Sequence, residues 1–251
     1  MKLQGQHILV TGASKGIGFA IADHLLQHKA RVGVHFYSGE SAAHSLASRY
    51  GEKQVSTLKA DLSKSEEVPG LFSAALDTMG SIDTLVLNAG VFIPHPMDME
   101  VKEWFRVWKQ TLAVNLDSVG LLTKLALDYF MEKKEGRIIY IGSRAAFRGE
   151  TEEYLAYAAS KGGLTSLARS VARSFGKYNI KAFVVAPGFT RTAMAEQFIG
   201  EYGEARVLEE LSLNELTEAT DIAPLVGFMA SGAMDHATGT TIDINAGSYI
   251  H

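Results

Sequence analysis

Three residues in the second half of the chain have side chains suited to proton transfer at a carbonyl oxygen. Tyr157 and Lys161 are four positions apart in a predicted helix, which places both side chains on one helix face. A tyrosine with its ordinary pKa of about 10 is a poor acid or base at neutral pH, but a neighbouring ammonium group favours the phenolate and lowers that pKa. Ser143 ends a predicted strand and can hold a substrate oxygen beside the tyrosine.

A glycine-rich loop after the first predicted strand suits a phosphate group. The segment TGASKGIG, residues 11–18, leads into a helix with an apolar face. Glycines let the backbone approach a pyrophosphate closely, and the N-terminal end of a helix attracts its negative charge. The spacing of these glycines differs from the common dinucleotide fingerprint, so a plain turn is the alternative. Its position between a strand and a helix favours a dinucleotide.

The end of the second predicted strand indicates which dinucleotide binds. NAD-specific sites usually carry an acidic residue there, which binds the ribose 2′-hydroxyl. Here residues 35–38 read HFYS, and the first carboxylate is Glu40. Lys15, inside the glycine loop, is placed to meet a 2′-phosphate, although a solvated lysine is the alternative. The residues therefore predict NADP(H).

Two more strand ends carry candidate binding residues. Asp61 ends the third predicted strand and either accepts a hydrogen bond from the adenine amino group or caps the following helix. Asn88, Ala89 and Gly90 end the fourth strand, where small residues either let a ligand pass close to the backbone or form an ordinary turn.

Short apolar strands alternate along the chain with longer amphipathic helices. Strands are predicted at residues 7–11, 31–36, 55–60, 84–87, 137–141, 181–186 and 241–244. Helices are predicted at residues 16–28, 41–50, 65–79, 101–134, 154–178 and 220–230. This pattern predicts an α/β fold of three α/β/α layers, a doubly wound, Rossmann-like sheet of seven parallel strands. We expect one domain over residues 1–251, with residues 192–216 as a helical lid over the site or, alternatively, a surface hairpin.

The composition excludes several classes of function. A net charge of −4 and the absence of a basic run exclude nucleic acid and anionic membrane surfaces as expected partners. There is no cysteine for a disulfide, a nucleophile or a zinc site. His24 and His28 lack the glutamate of a metalloprotease helix, so no metal site is expected. No apolar run approaches the roughly 18 residues of a membrane span, and the N-terminus leaves no room for a signal peptide, so we expect a cytoplasmic protein.

In this order and spacing, the motifs resemble the single-domain branch of the short-chain dehydrogenase/reductase family over essentially the whole chain. They are TGASKGIG at residues 11–18, Asp61, LNAG at 87–90, Asn115 in AVNLDS, Ser143 in IIYIGS, Tyr157 to Lys161, and PGFTRT at 187–192.

The resemblance implies reduction of a carbonyl to a secondary alcohol with NADP(H). It makes Tyr157 the acid/base, and Lys161 the residue that binds the nicotinamide ribose and lowers the tyrosine pKa. Ser143 would orient the carbonyl, and Asn115 would hold a water in a proton relay. The implied cofactor-binding residues are Gly12, Ser14, Lys15, Gly16, Ile17, Gly18, Asp61, Leu62, Asn88, Ala89, Gly90, Tyr157, Lys161, Pro187, Gly188, Thr190 and Thr192.

Within the family, the resemblance is strongest to the 3-oxoacyl-[acyl-carrier-protein] reductases of fatty acid synthesis. It implies a small-molecule carbonyl or acyl-thioester substrate, a homotetramer, and an acyl-carrier protein as a candidate partner that meets Lys134 and Arg173. Another ketone, a sugar or a xenobiotic is the alternative substrate. Tyr154 with Lys161 resembles the spacing of enoyl reductases, and a non-catalytic dinucleotide-binding regulator is the remaining alternative.

Three departures from the family pattern border the expected substrate pocket. Ser143 and Tyr157 are one residue farther apart than the pattern has them, and residues 97–108 are slightly extended. Arg144 replaces a small or apolar residue, and it either meets an anionic substrate group or pairs with a nearby glutamate.

Overall fold

The computed structural model describes residues 2–192 and 203–250. The strands are β1 His7–Val10, β2 Arg31–Phe36, β3 Val55–Lys59, β4 Thr84–Leu87, β5 Gly136–Ile141, β6 Ile180–Pro187, β7 Thr190–Arg191, β8 Thr217–Glu218 and β9 Thr241–Ile244. Seven of them form one sheet in the order β3-β2-β1-β4-β5-β6-β9, and every pair is parallel. The predicted seven-stranded doubly wound sheet is confirmed.

Helices cover both faces of this sheet. They are α1 Gly16–Gln27, α2 Glu40–Tyr50, α3 Val68–Met79, α4 Val101–Leu112, α5 Ser118–Lys133, α6 Ala145–Arg148, α7 Leu155–Phe175, α8 Glu204–Leu208 and α9 Ala219–Ala230. One apolar core lies between the sheet and α3, α5 and α7. A second lies between the opposite sheet face and α1, α2 and α9. The inner strands β1, β2, β4, β5 and β6 are therefore buried on both sides, which explains why they are apolar without alternation.

The predicted helix over residues 101–134 is interrupted. Five residues, Ala113–Asp117, form a π-helical turn between α4 and α5. Such a turn inserts one residue into the helical ladder without a proline, and it often occurs at functional sites. Asn115 lies at its centre and is fully buried.

The helix predicted from residue 65 begins later. Glu67 is the N-cap of α3, and a proline follows in its first turn. Proline is favoured there because its missing N–H would have no partner in any case. Asp61 therefore does not cap this helix, and that alternative was wrong.

Within the described part of the chain, no helix is long and apolar enough to cross a membrane. Over the same residues, no group of three or more His, Asp or Glu side chains is arranged to hold a metal ion.

Candidate active site

The carboxyl ends of β1, β4, β5 and β6 meet at one edge of the sheet and bring the predicted site residues together. The chain starts at β1, winds outward through β2 and β3, and then returns to β4 on the other side of β1. Ligands of open α/β sheets bind in the crevice at such a reversal. Gly12, Asn88, Ser143 and Gly188 each follow one of these strand ends.

Ser143, Tyr157 and Lys161 lie together at this edge. The Ser143 hydroxyl lies close enough to the Tyr157 hydroxyl to influence its pKa. The Lys161 ammonium is 5.7 Å from the centre of the Tyr157 ring and donates a hydrogen bond of 2.8 Å to the Ile141 carbonyl at the end of β5. The strand end thus fixes the lysine, and the lysine lies beside the tyrosine.

Burial changes the pKa values of Tyr157 and Lys161, the two side chains that α7 contributes to this cluster. It raises the pKa of Tyr157 to about 12; the nearby Ser143 hydroxyl opposes this, and the Glu150 carboxylate adds to it. Burial lowers the pKa of Lys161 to about 8. At neutral pH Tyr157 is therefore a protonated acid, and Lys161 still carries most of its charge.

The Asn115 side chain binds the loop that follows β4. Its Oδ1 accepts from the Val91 N–H at 2.8 Å, and its Nδ2 donates to the Val91 carbonyl at 2.9 Å. Nδ2 also reaches the Ser160 hydroxyl at 3.2 Å. The π-helical turn thus connects β4 with α7, and the amide side chain already has protein partners on both of its ends.

Phe92 separates the two tyrosines that sequence left as candidates. Its ring stacks on Tyr154 with centroids 3.7 Å apart, and its edge meets Tyr157 at 4.8 Å. Tyr154 is buried in this stack, whereas Tyr157 is the tyrosine beside Ser143 and Lys161. The geometry favours Tyr157 as the proton donor.

The glycine loop is held against the end of β4. The Asn88 side chain donates to the carbonyls of Thr11 and Gly12 at 2.9 and 3.1 Å. Gly12 and Gly16 have left-handed φ angles of 64° and 53°, which suit glycine. The Lys15 side chain makes no cap on the first turn of α1, so the N–H groups of that turn remain for an anion. These features fit a dinucleotide pyrophosphate.

His35 supports this loop, and the sequence analysis did not identify it. Its Nδ1 accepts from the Gly12 N–H at 3.0 Å, so Nε2 carries the proton and faces the Ala60 carbonyl at 3.2 Å. Burial lowers the pKa of His35 to about 4, which keeps the ring neutral. The only sequence signal is a single histidine in the apolar run of β2.

The surroundings of the expected 2′-phosphate contain no carboxylate at the end of β2. Tyr37 is exposed there, and the Ser38 carbonyl accepts from the Ser14 hydroxyl at 2.7 Å. Glu40 instead pairs with Lys59 at 3.3 Å. Lys15 is exposed in the glycine loop.

Asp61 stabilises a turn after β3. Its Oδ1 accepts from the N–H and the hydroxyl of Ser63, at 3.0 and 2.7 Å. Leu62 beside it is buried in the core under α3. Contact of Asp61 with adenine, and of Leu62 with the cofactor, stays a prediction.

The segment after β6 crosses the glycine loop. A side chain at Gly16 would come within 3.2 Å of the Thr192 methyl group, and Gly188 packs so closely on Asn245 that a Cβ would lie 2.6 Å from its Cβ. The Thr190 hydroxyl donates to the Gly188 carbonyl at 3.3 Å. Pro187, the last residue of β6, accepts from the N–H of Arg144 at 3.0 Å.

The predicted lid is described only in part, since residues 193–202 lie outside the described ranges. The part after them contains α8 and contacts the strand end that carries Ser143. Glu210 Oε2 accepts hydrogen bonds from Arg144 and Arg148, both at 3.1 Å. Arg144 therefore pairs with a glutamate, as one of its two interpretations had it.

The sheet reversal, the glycine loop and the Ser143, Tyr157 and Lys161 cluster define a dinucleotide-dependent oxidoreductase of the Rossmann-like class. A family model described as short chain dehydrogenase matches residues 6–202. The chain belongs to this family, and it is an oxidoreductase that acts on CH–OH or C=O groups with a nicotinamide dinucleotide.

Full-length relatives agree with this assignment. The chain is 35% identical over 249 residues to the 3-oxoacyl-[acyl-carrier-protein] reductase FabG of Haemophilus influenzae, covering 99% of this chain and 100% of that protein. It is similar to the structure of a candidate short-chain alcohol dehydrogenase from Sinorhizobium meliloti, with a TM-score of 0.90, 29% identity, and coverage of 98% and 97%. The chain is also similar to the structure of a candidate gluconate dehydrogenase from Agrobacterium tumefaciens, with a TM-score of 0.89, 25% identity, and coverage of 98% and 97%.

A methyl group added at Gly18 should disrupt the cofactor loop. In Gly18→Ala the Cβ would lie 2.2 Å from the Gly12 carbonyl oxygen and 2.4 Å from Asn88 Nδ2. We expect a loss of about 1–3 kcal/mol of stability from overpacking and at least tenfold weaker dinucleotide binding by fluorescence titration. The control is Gly70→Ala in α3, where nothing lies within 4 Å and the melting temperature should hold or rise. Equal dinucleotide affinity in the two variants would contradict the expected role of the loop.

Proposed function

We propose that this protein reduces the 3-oxo group of an acyl thioester to a secondary alcohol with NADPH. The observation that carries the carbonyl chemistry is the contact of Tyr157 with both Ser143 and Lys161 at the edge that holds the glycine loop. The substrate class is supported by full-length similarity to 3-oxoacyl-[acyl-carrier-protein] reductases from several bacteria.

The chain's own residues handle the proton. When bound, the nicotinamide dinucleotide supplies the hydride for the carbonyl carbon. The Ser143 hydroxyl donates a hydrogen bond to the carbonyl oxygen, and the Tyr157 hydroxyl transfers its proton to that oxygen. The Lys161 ammonium stabilises the phenolate left on Tyr157. Asn115, in the π-helical turn, is the residue proposed to hold the water that returns a proton to Tyr157.

The charged residues near the pocket are compatible with this substrate. Glu150 and Glu210 both lie close to arginines, Glu150 at 4.0 Å from Arg148 and Glu210 bridging Arg148 and Arg144. Their charges are thus offset within the protein, which lowers their repulsion of an acidic carrier. Lys134 and Arg173 are exposed, and Arg173 lines a groove of about 290 Å³ with Arg169. We propose these basic residues as the contact for an acyl-carrier protein.

The same proposal includes a homotetramer and a lid over the site. Phe105 and Leu121 leave apolar surface exposed on α4 and α5, which supports the expected homotetramer. The contact of Glu210 with Arg144 supports residues 192–216 as a lid that closes beside Ser143.

The function is tested with purified protein, NADPH and acetoacetyl thioesters of coenzyme A and of acyl-carrier protein. Absorbance of NADPH should fall with both, and faster with the carrier-protein thioester. Oxidation of NADPH with simple ketones or sugars but neither thioester would overturn the substrate assignment. Reduction of a conjugated C=C bond would favour the enoyl reductase alternative. If none of the tested substrates were turned over, the non-catalytic regulator would be favoured.

Lys15 should set the preference for the phosphorylated cofactor. The wild-type kcat/KM should be higher with NADPH than with NADH, because no carboxylate at the end of β2 repels the 2′-phosphate. Lys15→Ala should raise the KM for NADPH about tenfold through loss of one charge-assisted hydrogen bond, and the KM for NADH provides the internal control. A wild-type preference for NADH would contradict the prediction.

A further inference from the structure

His95 lies in the connection between β4 and α4, outside every motif described so far. It is fully buried and contacts the start of α7 through two of its atoms. Its backbone N–H donates to the Glu153 carbonyl at 2.9 Å, and its Nε2 accepts from the Ala156 N–H at 3.2 Å. Ala156 immediately precedes Tyr157.

The imidazole is held in one tautomer. Because Nε2 accepts a hydrogen bond from a backbone N–H, Nδ1 carries the proton and donates to the Ile93 carbonyl at 3.1 Å. The ring also packs against Trp104, with centroids 5.1 Å apart. Every polar atom of the side chain has a partner, and the ring has a packing surface.

This contact supplies a hydrogen-bond acceptor that the first turn of α7 lacks. The first N–H groups of a helix have no acceptor within the helix, and capping side chains usually satisfy them. The N-cap residue of α7, Tyr154, makes no side-chain cap. His95 supplies the acceptor from another segment, so it fixes the first turn of α7 relative to the end of β4.

The same connecting segment also holds the tyrosine ring. Phe92 lies three positions before His95, between the rings of Tyr154 and Tyr157. Residues 92–95 therefore contact both the backbone turn and the ring of the expected proton donor. A displacement of this turn would move the Tyr157 hydroxyl away from Ser143.

We propose that His95 is a positioning residue, which sets the position of the Tyr157 hydroxyl by accepting the Ala156 N–H. The inference rests on the proposed role of Tyr157 as proton donor. It adds a residue that contacts neither substrate nor cofactor and acts only through the start of α7.

The test compares three substitutions with matched chemistry. In His95→Gln, the side-chain oxygen can take the place of Nε2; in His95→Asn the side chain is polar but too short to reach Ala156; in His95→Leu no acceptor remains. The full-length proteins are assayed with NADPH and acetoacetyl-CoA, and NADPH affinity is measured by fluorescence. Small misplacements of a catalytic group can cost about 100-fold in rate.

We expect His95→Leu and His95→Asn to lose about 10–100-fold in kcat with NADPH affinity within about twofold. His95→Gln should stay within about threefold of wild type in kcat. Wild-type kcat in His95→Asn, or equal losses in the Gln and Asn variants, would overturn the proposal. If His95→Leu does not fold, the comparison of His95→Gln with His95→Asn still tests the positioning role.

Tyr157→Phe in the same assay separates the two levels of inference. An active Tyr157→Phe enzyme would refute the proton-donor assignment itself. An inactive Tyr157→Phe enzyme together with normal His95 variants would refute only the positioning role.

Discussion

Replacing Tyr157 with phenylalanine should lower kcat by about 10²–10⁴-fold, because it removes the group that protonates the carbonyl oxygen. The substitution removes one oxygen atom and keeps the ring. The edge contact of that ring with Phe92 is therefore retained, and the fold should not change. NADPH binding, measured by fluorescence, should stay within about twofold of wild type because the glycine loop is untouched.

Tyr154→Phe is the matched control for this experiment. It removes a hydroxyl from the other tyrosine on Phe92, whose stacked ring remains at 3.7 Å. We expect kcat within about threefold of wild type, since aromatic packing is preserved. If Tyr154→Phe abolished turnover and Tyr157→Phe did not, Tyr154 would be the proton donor and the spacing of enoyl reductases would describe the site.

The sheet and its active edge could be predicted because their signals are local. Most of the strands are short apolar runs, and parallel strands joined by helices place all their carboxyl ends at one edge. Ser143 and Gly12 follow strand ends, so their proximity required only the strand order. Tyr157 and Lys161 followed from helical spacing on one face.

The supports of the site were missed because they depend on partners distant in the chain. His35 and His95 are each a single histidine among apolar neighbours, and their acceptor roles appear only when Gly12 and Ala156 are placed beside them. The π-helical turn at Ala113–Asp117 contains no proline or glycine, so the sequence predicts one continuous helix through it. Arg144 has two interpretations in the sequence because its partner Glu210 lies 66 positions farther along the chain.

Replacing Lys161 with methionine should remove activity without destabilising the fold. Loss of the ammonium leaves the Tyr157 phenolate without its stabilising charge, so kcat should fall at least about 100-fold. Yet burial of that charge has a cost in the wild-type protein. The difference between the ordinary pKa of 10.5 and the value of about 8 in the folded protein corresponds to about 3 kcal/mol at pH 7.

The pH dependence of stability shows the sign of the contribution from the buried Lys161 charge. Below pH 8 the lysine is charged in both states, and the folded state bears the full cost of burying it. Between pH 8 and 10.5 the folded protein loses the proton before the unfolded chain does, so this group makes stability rise with pH. Methionine removes the cost but leaves the Ile141 carbonyl without its donor, which costs about 1–3 kcal/mol.

The cofactor-free Lys161→Met protein should therefore have a melting temperature at pH 7 equal to or above that of the wild type, and its advantage should shrink as the pH approaches 10. Lys53→Met is the control, because Lys53 is exposed in the turn before β3 and should change neither kcat nor stability. A clear drop in melting temperature at pH 7 for Lys161→Met alone would mean that Lys161 stabilises the fold. Its burial would then reflect packing, whereas an inactive but equally stable variant means that the buried charge is kept for its effect on Tyr157.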